Sequence, residues 1–266
     1  MNNESQLLIK EATINSILRL VMNDQNSKNA LSNKMISALM DAIAFANNDN
    51  SIKVIVIASK GNVYSAGHDL KEITQARKGP DNGESFFKEL FRSCSVLMQA
   101  IVNSSKPVIA EVNGVATAAG CQLVASCDLA YSTKEALFAT PGVNIGLFCS
   151  TPMVAVSRNL SRKKIMEMLL TGEKLSAKDA VDYGLINHCV PLDQLHQKTL
   201  SIANIIASKP LSTVKIGKEA FYKQVEMPID EAYKYTSEVM AMNMMEKDAY
   251  EGISAFLDKR SPSWNE

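Results

Sequence analysis

Two apolar runs of strand length, each leading into a loop of small residues, constrain this chain more than any other feature. The first is Val54-Ile-Val-Ile-Ala, followed by Ser65-Ala-Gly-His-Asp. The second is Pro107-Val-Ile-Ala-Glu-Val, followed by Asn113-Gly-Val-Ala-Thr-Ala-Ala-Gly-Cys. The first is continuous and fits a strand buried on both faces, and the second, interrupted only by Glu111, reads as another buried strand. Small residues let a ligand approach the backbone closely. The second loop opens a helix running through Val124, whose first N–H groups lack internal partners and sit at the positive end of the dipole. Two such N–H groups converging on one oxygen form an oxyanion hole. Small residues also serve tight packing, and the residues alone leave both readings open.

Strand, loop and helix alternate over the first ~190 residues. Leu7–Glu11 and Ile17–Met22 read as a hairpin. Ser32 is a good N-cap for a helix carrying Met35, Ile36, Leu39, Met40 and Ile43 at helical spacing. The polar stretch Lys78–Gly83 reads as a mobile loop before a helix over 84–102. Short strands are expected at Asp128–Tyr131 and Ala136–Ala139. After Pro191 the pattern turns helical, over 192–207, 211–225, 229–245 and 249–257. No Gly-, Ser- or Pro-rich linker intervenes. The expected organisation is an α/β core over residues 1–191, carrying the site, with a helical subdomain over 192–266 in the same structural unit. The cluster Met240, Met242, Met244 and Met245 reads as core or subunit-interface packing, since methionine fills irregular apolar gaps.

Composition excludes several function classes. Lys+Arg and Asp+Glu both count 28, so no global field holds a nucleic acid or an anionic membrane. No basic, aromatic-laced stripe points to nucleic acid either. No apolar run approaches the ~20 residues that span a bilayer. Cys94, Cys121, Cys127, Cys149 and Cys189 form no CxxC pair and read as free thiols in a reducing compartment. The polar, acidic start Met1–Gln6 does not read as a leader, and the expected location is the cytoplasm. No metal site is expected.

Further motifs are collinear with the two loops. They are Asn29-Ala-Leu-Ser, Leu170-Thr-Gly-Glu-Lys-Leu-Ser-Ala-Lys-Asp-Ala followed by Gly184-Leu-Ile, and Gly252-Ile-Ser-Ala-Phe-Leu-Asp-Lys-Arg. Together with the loops they resemble the enoyl-CoA hydratase/isomerase (crotonase) superfamily over nearly the whole chain. The resemblance implies an α/β fold of repeated ββα units in a superhelical core, with a C-terminal helical oligomerisation subdomain. It implies an acyl-CoA thioester as ligand, with coenzyme A as part of that ligand and no prosthetic group. The backbone N–H groups of His68 and Ala119 would hold the thioester oxygen as an enolate forms. His68, Asp69, Leu70 and Lys71 would line the acyl-CoA channel, and Ala30 would lie beside the adenine. Phe256 and Lys259 would reach the nucleotide end, often that of a neighbouring subunit, in a homotrimer or dimer of trimers. Fatty acid metabolism and lyase or isomerase chemistry would follow.

The sequence departs from that pattern where hydration needs proton transfer. The family's two hydratase glutamates fall at Gln122 and Gly142, neither of which exchanges a proton near neutral pH. The alternative acid positions are Phe148 and Ser150. Ala119 stands where glycine is usual, and an alanine N–H still donates if its φ is negative. General acid–base catalysis contributes about 10²–10⁴-fold, so classical hydration should fall to a trace. The family uses position 68 for its backbone N–H, so that N–H is read as the functional group ahead of the His68 imidazole, and Asp69 reads first as a loop brace. No His partner for Cys149 or Ser150 is evident, and His188 and His196 read as ordinary core or surface residues. Two functions remain open, a hydratase/isomerase-type enzyme recruiting an atypical acid or base such as Asp69 or His68, and a non-catalytic acyl-CoA binder or sensor.

Overall fold

The computed structural model describes residues 6–12 and 15–264. The start Met1–Ser5, on which most of the leader reading rested, lies outside them. Strands β1 (Leu8–Ala12) and β2 (Ile17–Met22) form the expected antiparallel hairpin, with Leu8 opposite Met22. Helix α1 (Asn33–Asn48) follows. Its N-cap is Ser32, whose Oγ accepts the Met35 N–H at 3.2 Å. Met35, Ile36, Leu39, Ala42, Ile43 and Ala46 recur every three or four residues and are buried on one face.

The chain then repeats a two-strand unit. β3 (Val54–Ser59) is followed by β4 (Val63–Ser65) and the helices α2 (Leu70–Ala76) and α3 (Glu84–Val102). β5 (Val108–Val112) is followed by β6 (Val115–Thr117) and α4 (Ala119–Ser126). β7 (Leu129–Thr133) is followed by β8 (Leu137–Ala139), a 3-10 turn (Pro141–Ile145), α5 (Pro152–Val156) and α6 (Arg162–Thr171). The first strand of each pair enters a six-stranded sheet of order β1-β2-β3-β5-β7-β10, and the second enters a four-stranded sheet of order β4-β6-β8-β9. β9 (Leu175–Ser176), α7 (Ala177–Asp182) and β10 (His188–Val190) complete the sheets. Three repeated ββα units are thus present.

All six residues of β3 are buried, and the two sides of the strand explain why. Ile55 and Ile57 join the cluster containing Leu39, Ile43 and Leu97 of α1 and α3. Val54 and Val56 pack with Leu195, Ala203 and Ala207 of α8 (Leu192–Ala207). Helices on both faces remove the polar alternation of a one-sided strand. Glu111 of β5 is on the α8 side. Arg19 reaches one carboxylate oxygen at 2.5 Å and His196 of α8 the other at 3.2 Å. His196 is therefore the outer member of a charged cluster.

The helical end comprises α9 (Leu211–Gln224), α10 (Ile229–Met244) and α11 (Lys247–Leu257). α10 buries none of its residues. Met240, Met242, Met244 and Met245 are all more than half exposed, so they do not fill the protomer's core. Lys78–Gly83 is a hydrogen-bonded turn. Asp81 accepts the N–H groups of Gly83 and Ser85, and this holds its carboxyl down at about 2. No described helix is long and apolar enough to cross a membrane.

Candidate active site

The two small-residue loops meet. Gly67, at φ +87°, lies so close to the start of α4 that a Cβ there would stand 3.0 Å from the Ala118 Cβ and 3.3 Å from the Ala119 nitrogen. One residue further along the helix, a Cβ on Gly120 would lie 2.4 Å from the Ser65 carbonyl oxygen. Glycine is needed at both places, at one for its backbone conformation and at the other for close approach. The loops are also tied from beneath. Asn113 donates to Ser59 and Gly61 carbonyls, and Asn29 donates to those of Lys60 and Val63.

Each expected donor belongs to a peptide whose carbonyl half is already engaged. The Gly67 carbonyl accepts the Leu31 N–H at 2.7 Å. In a trans peptide the C=O and the next N–H point in opposite directions, so the His68 N–H faces away from Leu31. The Ala118 carbonyl accepts the Gln122 N–H at 3.0 Å inside α4, so the Ala119 N–H points out of the helix's N-terminal end. Ala118 has φ +50°, a conformation alanine rarely adopts, and its own N–H donates to Ala139. The strain sits at the residue that aims the donor. Sequence reasoning had no access to it, because alanine carries no turn signal.

The His68 ring turns into the protein. Its Nδ1 lies 3.2 Å from the Leu31 carbonyl, its Nε2 is buried without a partner, and it meets Phe91 edge-on at 5.4 Å. Burial pushes its pKa down, while the Leu31 carbonyl pulls it up less strongly. Asp69 braces the loop as expected, its Oδ1 accepting the Lys71 N–H at 2.8 Å where α2 begins. Leu70 and Lys71 are exposed beside it. Ala30 is buried, with its N–H on the Ser27 hydroxyl. Phe256, 83% exposed, and Lys259 stand on the surface around the C-terminal end of α11.

At the two glutamate positions the structure adds a steric fact. Gln122 is buried, and its Oε1 has no partner. It sits three residues after Ala119, so both lie on one face of α4. Its side chain leans back toward the helix N-terminus. Gly142 is buried under the 147–149 segment. A Cβ there would lie 2.5 Å from the Leu147 carbonyl oxygen and 2.8 Å from the Cys149 Sγ. Cys149 therefore occupies the space into which a side chain at 142 would extend. Burial pushes the Cys149 thiol up and takes Cys121 to about 12, so both stay protonated at neutral pH and neither is an activated nucleophile. All five cysteines are free, four of them buried, while Cys189 is partly exposed. Among the described residues no group of His, Cys, Asp or Glu could hold a metal ion.

The sequence pattern of the family described as "Enoyl-CoA hydratase/isomerase" matches residues 12–266. Human enoyl-CoA hydratase domain-containing protein 3, mitochondrial, is 46% identical over 252 residues, covering 95% of this chain and 82% of that protein. Its Xenopus laevis counterpart is 45% identical, covering 99% and 90%. A crystal structure of enoyl-CoA hydratase from Mycobacterium smegmatis superposes with a TM-score of 0.93 at 45% identity, covering 98% of this chain and 99% of that one. The human domain-containing protein 3 gives 0.92 at 44% identity, covering 97% and 100%. These likenesses establish the crotonase-like α/β fold with its helical C-terminal region.

They also correct the expected cytoplasmic location, because the relatives from human, frog, rat, mouse and zebrafish are all named as mitochondrial. Reduced thiols and balanced charge describe a folded domain in either compartment and do not separate them. The family pattern over nearly the full length, with relatives well above 40% identity, settles membership, and the chain belongs to the enoyl-CoA hydratase/isomerase family.

Proposed function

We propose that this chain binds an acyl-CoA thioester and polarises its carbonyl with the backbone N–H groups of His68 and Ala119, without hydrating enoyl thioesters at hydratase rates. The carrying observation is the approach of Gly67 to the Ala119 nitrogen, with the carbonyl half of each donor peptide already occupied. Two rigid donors meet a thioester oxygen with little reorganisation. Charge accumulates on that oxygen as an enolate forms, and one such donor is worth about 3–4 kcal/mol. The step that hydration adds is proton transfer, and Gln122 and Gly142 supply none. A buried carboxamide donates and accepts hydrogen bonds but does not exchange protons near neutral pH. The function is acyl-CoA binding with enolate-type activation, of which a non-turning-over binder is the limiting case.

The exposed residues of α10 and α11 support a homo-oligomer. The exposed Met240, Met242, Met244 and Met245, with Phe256 beyond them, suit burial against a second copy, in a trimer or dimer of trimers. That arrangement brings Phe256 and Lys259 to a neighbour's nucleotide. The compartment we propose is that of the named relatives, the mitochondrion.

The test is hydration of crotonyl-CoA together with calorimetry on butyryl-CoA. Wild type is expected to bind butyryl-CoA and to hydrate crotonyl-CoA at least about 10²-fold below an enzyme with both acids. Gln122→Glu is expected to raise hydration about tenfold or more. Burial holds the new carboxyl protonated near neutral pH, ready to donate. Hydratase-level turnover by the wild type sinks the reading, and so does lack of butyryl-CoA binding.

A further inference from the structure

We infer that the imidazole of His68 is a positioning residue, a latch that fixes the direction of its own backbone N–H and opens when the ring is protonated. The inference rests on the proposed role of that N–H, and it concerns the side chain, which needs no such position for catalysis.

The geometry is a two-point grip. Leu31 is fully buried in the core. Its N–H takes the Gly67 carbonyl at 2.7 Å, and its carbonyl meets the His68 Nδ1 at 3.2 Å. Both ends of the 67–68 peptide are therefore tied to one residue, one by main chain and one by side chain. A third tie, from the Ala66 N–H to the Lys28 carbonyl at 3.1 Å, holds the loop on the other side of Gly67. Gly67 at φ +87° allows the peptide to turn, so a loop this free needs the clamp. Removing the ring leaves the Gly67 carbonyl bond as the one remaining tie of this peptide to Leu31.

The neutral ring fits the bond only as the Nδ1–H tautomer, because the Leu31 carbonyl is an acceptor. That leaves Nε2 as a bare lone pair, buried and without a partner. Phe91 covers the ring edge-on at 5.4 Å. Protonation adds an N–H and a positive charge at that buried nitrogen, where nothing accepts it. Neighbouring charges do not compensate. At the N-cap of α2 Asp69 is engaged by the Lys71 N–H, and on the helix Glu72 accepts the Asn33 N–H. On α3, Glu89 is paired with Arg92, and Lys88 with Glu84. Lys28, Lys34 and Lys71 add only positive charge to the segments beside the ring. The protonated ring gains its hydration by swinging out, and the loop swings with it. A group whose bound state disfavours the proton loses its contribution as pH falls through its lowered pKa, so binding weakens in acid.

The experiment is butyryl-CoA calorimetry from about pH 7.5 to about pH 5.5 on wild type, His68→Ala and His68→Asn. The asparagine amide nitrogen lies near the place of Nδ1 and can donate to Leu31, but it does not titrate. Wild-type affinity should fall in acid by up to about tenfold per pH unit beyond the ligand's own titration. His68→Ala should bind about tenfold more weakly at pH 7.5, the effect of one lost hydrogen bond. His68→Asn should restore most of that loss, and both variants should show only the ligand's slope. A wild-type slope retained in His68→Asn overturns the latch. So does wild-type affinity in His68→Ala, or a thermal melt showing that the whole fold, not the loop, fails at pH 5.5. No wild-type binding at pH 7.5 instead overturns the underlying acyl-CoA reading, and a flat wild-type profile overturns the latch alone.

Discussion

Gly120→Ala is expected to abolish measurable acyl-CoA binding and to destabilise the fold. The added methyl carbon would lie 2.4 Å from the Ser65 carbonyl oxygen and 2.8 Å from the Ser65 Cβ. Neither neighbour can rotate away, since one is main chain and the other is the first side-chain atom on β4. The first turn of α4 must move off the loop, and it carries the Ala119 N–H with it. Overpacking of this kind costs about 1–3 kcal/mol. In a chain of this size that lowers the melting temperature by roughly 2–4 °C per kcal/mol. The functional loss should exceed the stability loss, because two donors must meet one oxygen and a lost donor alone costs about 10²–10³ in rate. Gly217→Ala is the matched control. It lies in the interior of α9 with nothing within 4 Å of its Cβ position. It should leave binding intact and stabilise the helix by up to about 1 kcal/mol. Undiminished butyryl-CoA affinity in Gly120→Ala would show that the two loops do not form one site.

The same contact distances explain why restoring the second family glutamate is not expected to create a hydratase. A side chain at 142 starts 2.5 Å from the Leu147 carbonyl. Gly142 has no room for a side chain. The 147–149 segment has closed over it, and the Leu147 N–H donates to the Gly142 carbonyl. Reading the sequence put Gly142 at the expected second glutamate position but could not see the filled space, because that filling comes from Cys149, seven positions away.

What was legible followed from length and periodicity. The helices at 84–102 and 192–207 carry apolar residues at helical spacing over four or more turns, and their bounds agree with the reading. β3 was legible because helices on both faces leave a continuous apolar run, Val54 to Ala58, before Ser59. Less was visible of the second sheet, whose strands β4, β6, β8 and β9 have only two or three residues each, too few for any alternation. α2 was missed for a related reason. It buries no residue, and what specifies it is the Asp69 cap rather than an apolar face. At the site, glycine signalled the close approach, while the Leu31 clamp was invisible because a leucine's backbone groups carry no sequence signature. The charged cluster at Glu111 was likewise hidden, since its partners Arg19 and His196 are joined only by the sheet and α8.

Lys218→Met should destabilise the protein by about 3–5 kcal/mol, the usual cost of leaving one member of a buried ion pair alone. The Lys218 ammonium, with only 7% of its side chain exposed, links α9 to the core. It donates to Asp128 at 2.7 Å and to the carbonyls of Ile101 and Lys106 at 3.0 and 3.1 Å. Asp128 in turn accepts the Val108 N–H at the head of β5 and the Tyr222 hydroxyl. Burial lowers the lysine's pKa, and it outweighs the raising effect of the nearby carboxylate. Desolvation offsets much of the attraction in a buried pair, so the pair fixes geometry more than it adds net stability. It follows that Lys218→Met/Asp128→Asn should recover part of the loss, because no uncompensated carboxylate then remains. Chemical denaturation of the two single variants and the double variant measures the coupling. A double variant as unstable as the sum of its parts would show that the lysine acts through its two carbonyl bonds alone. Recovery would mean that the charge pair is the tie between the helical end and the strand that leads to the donors.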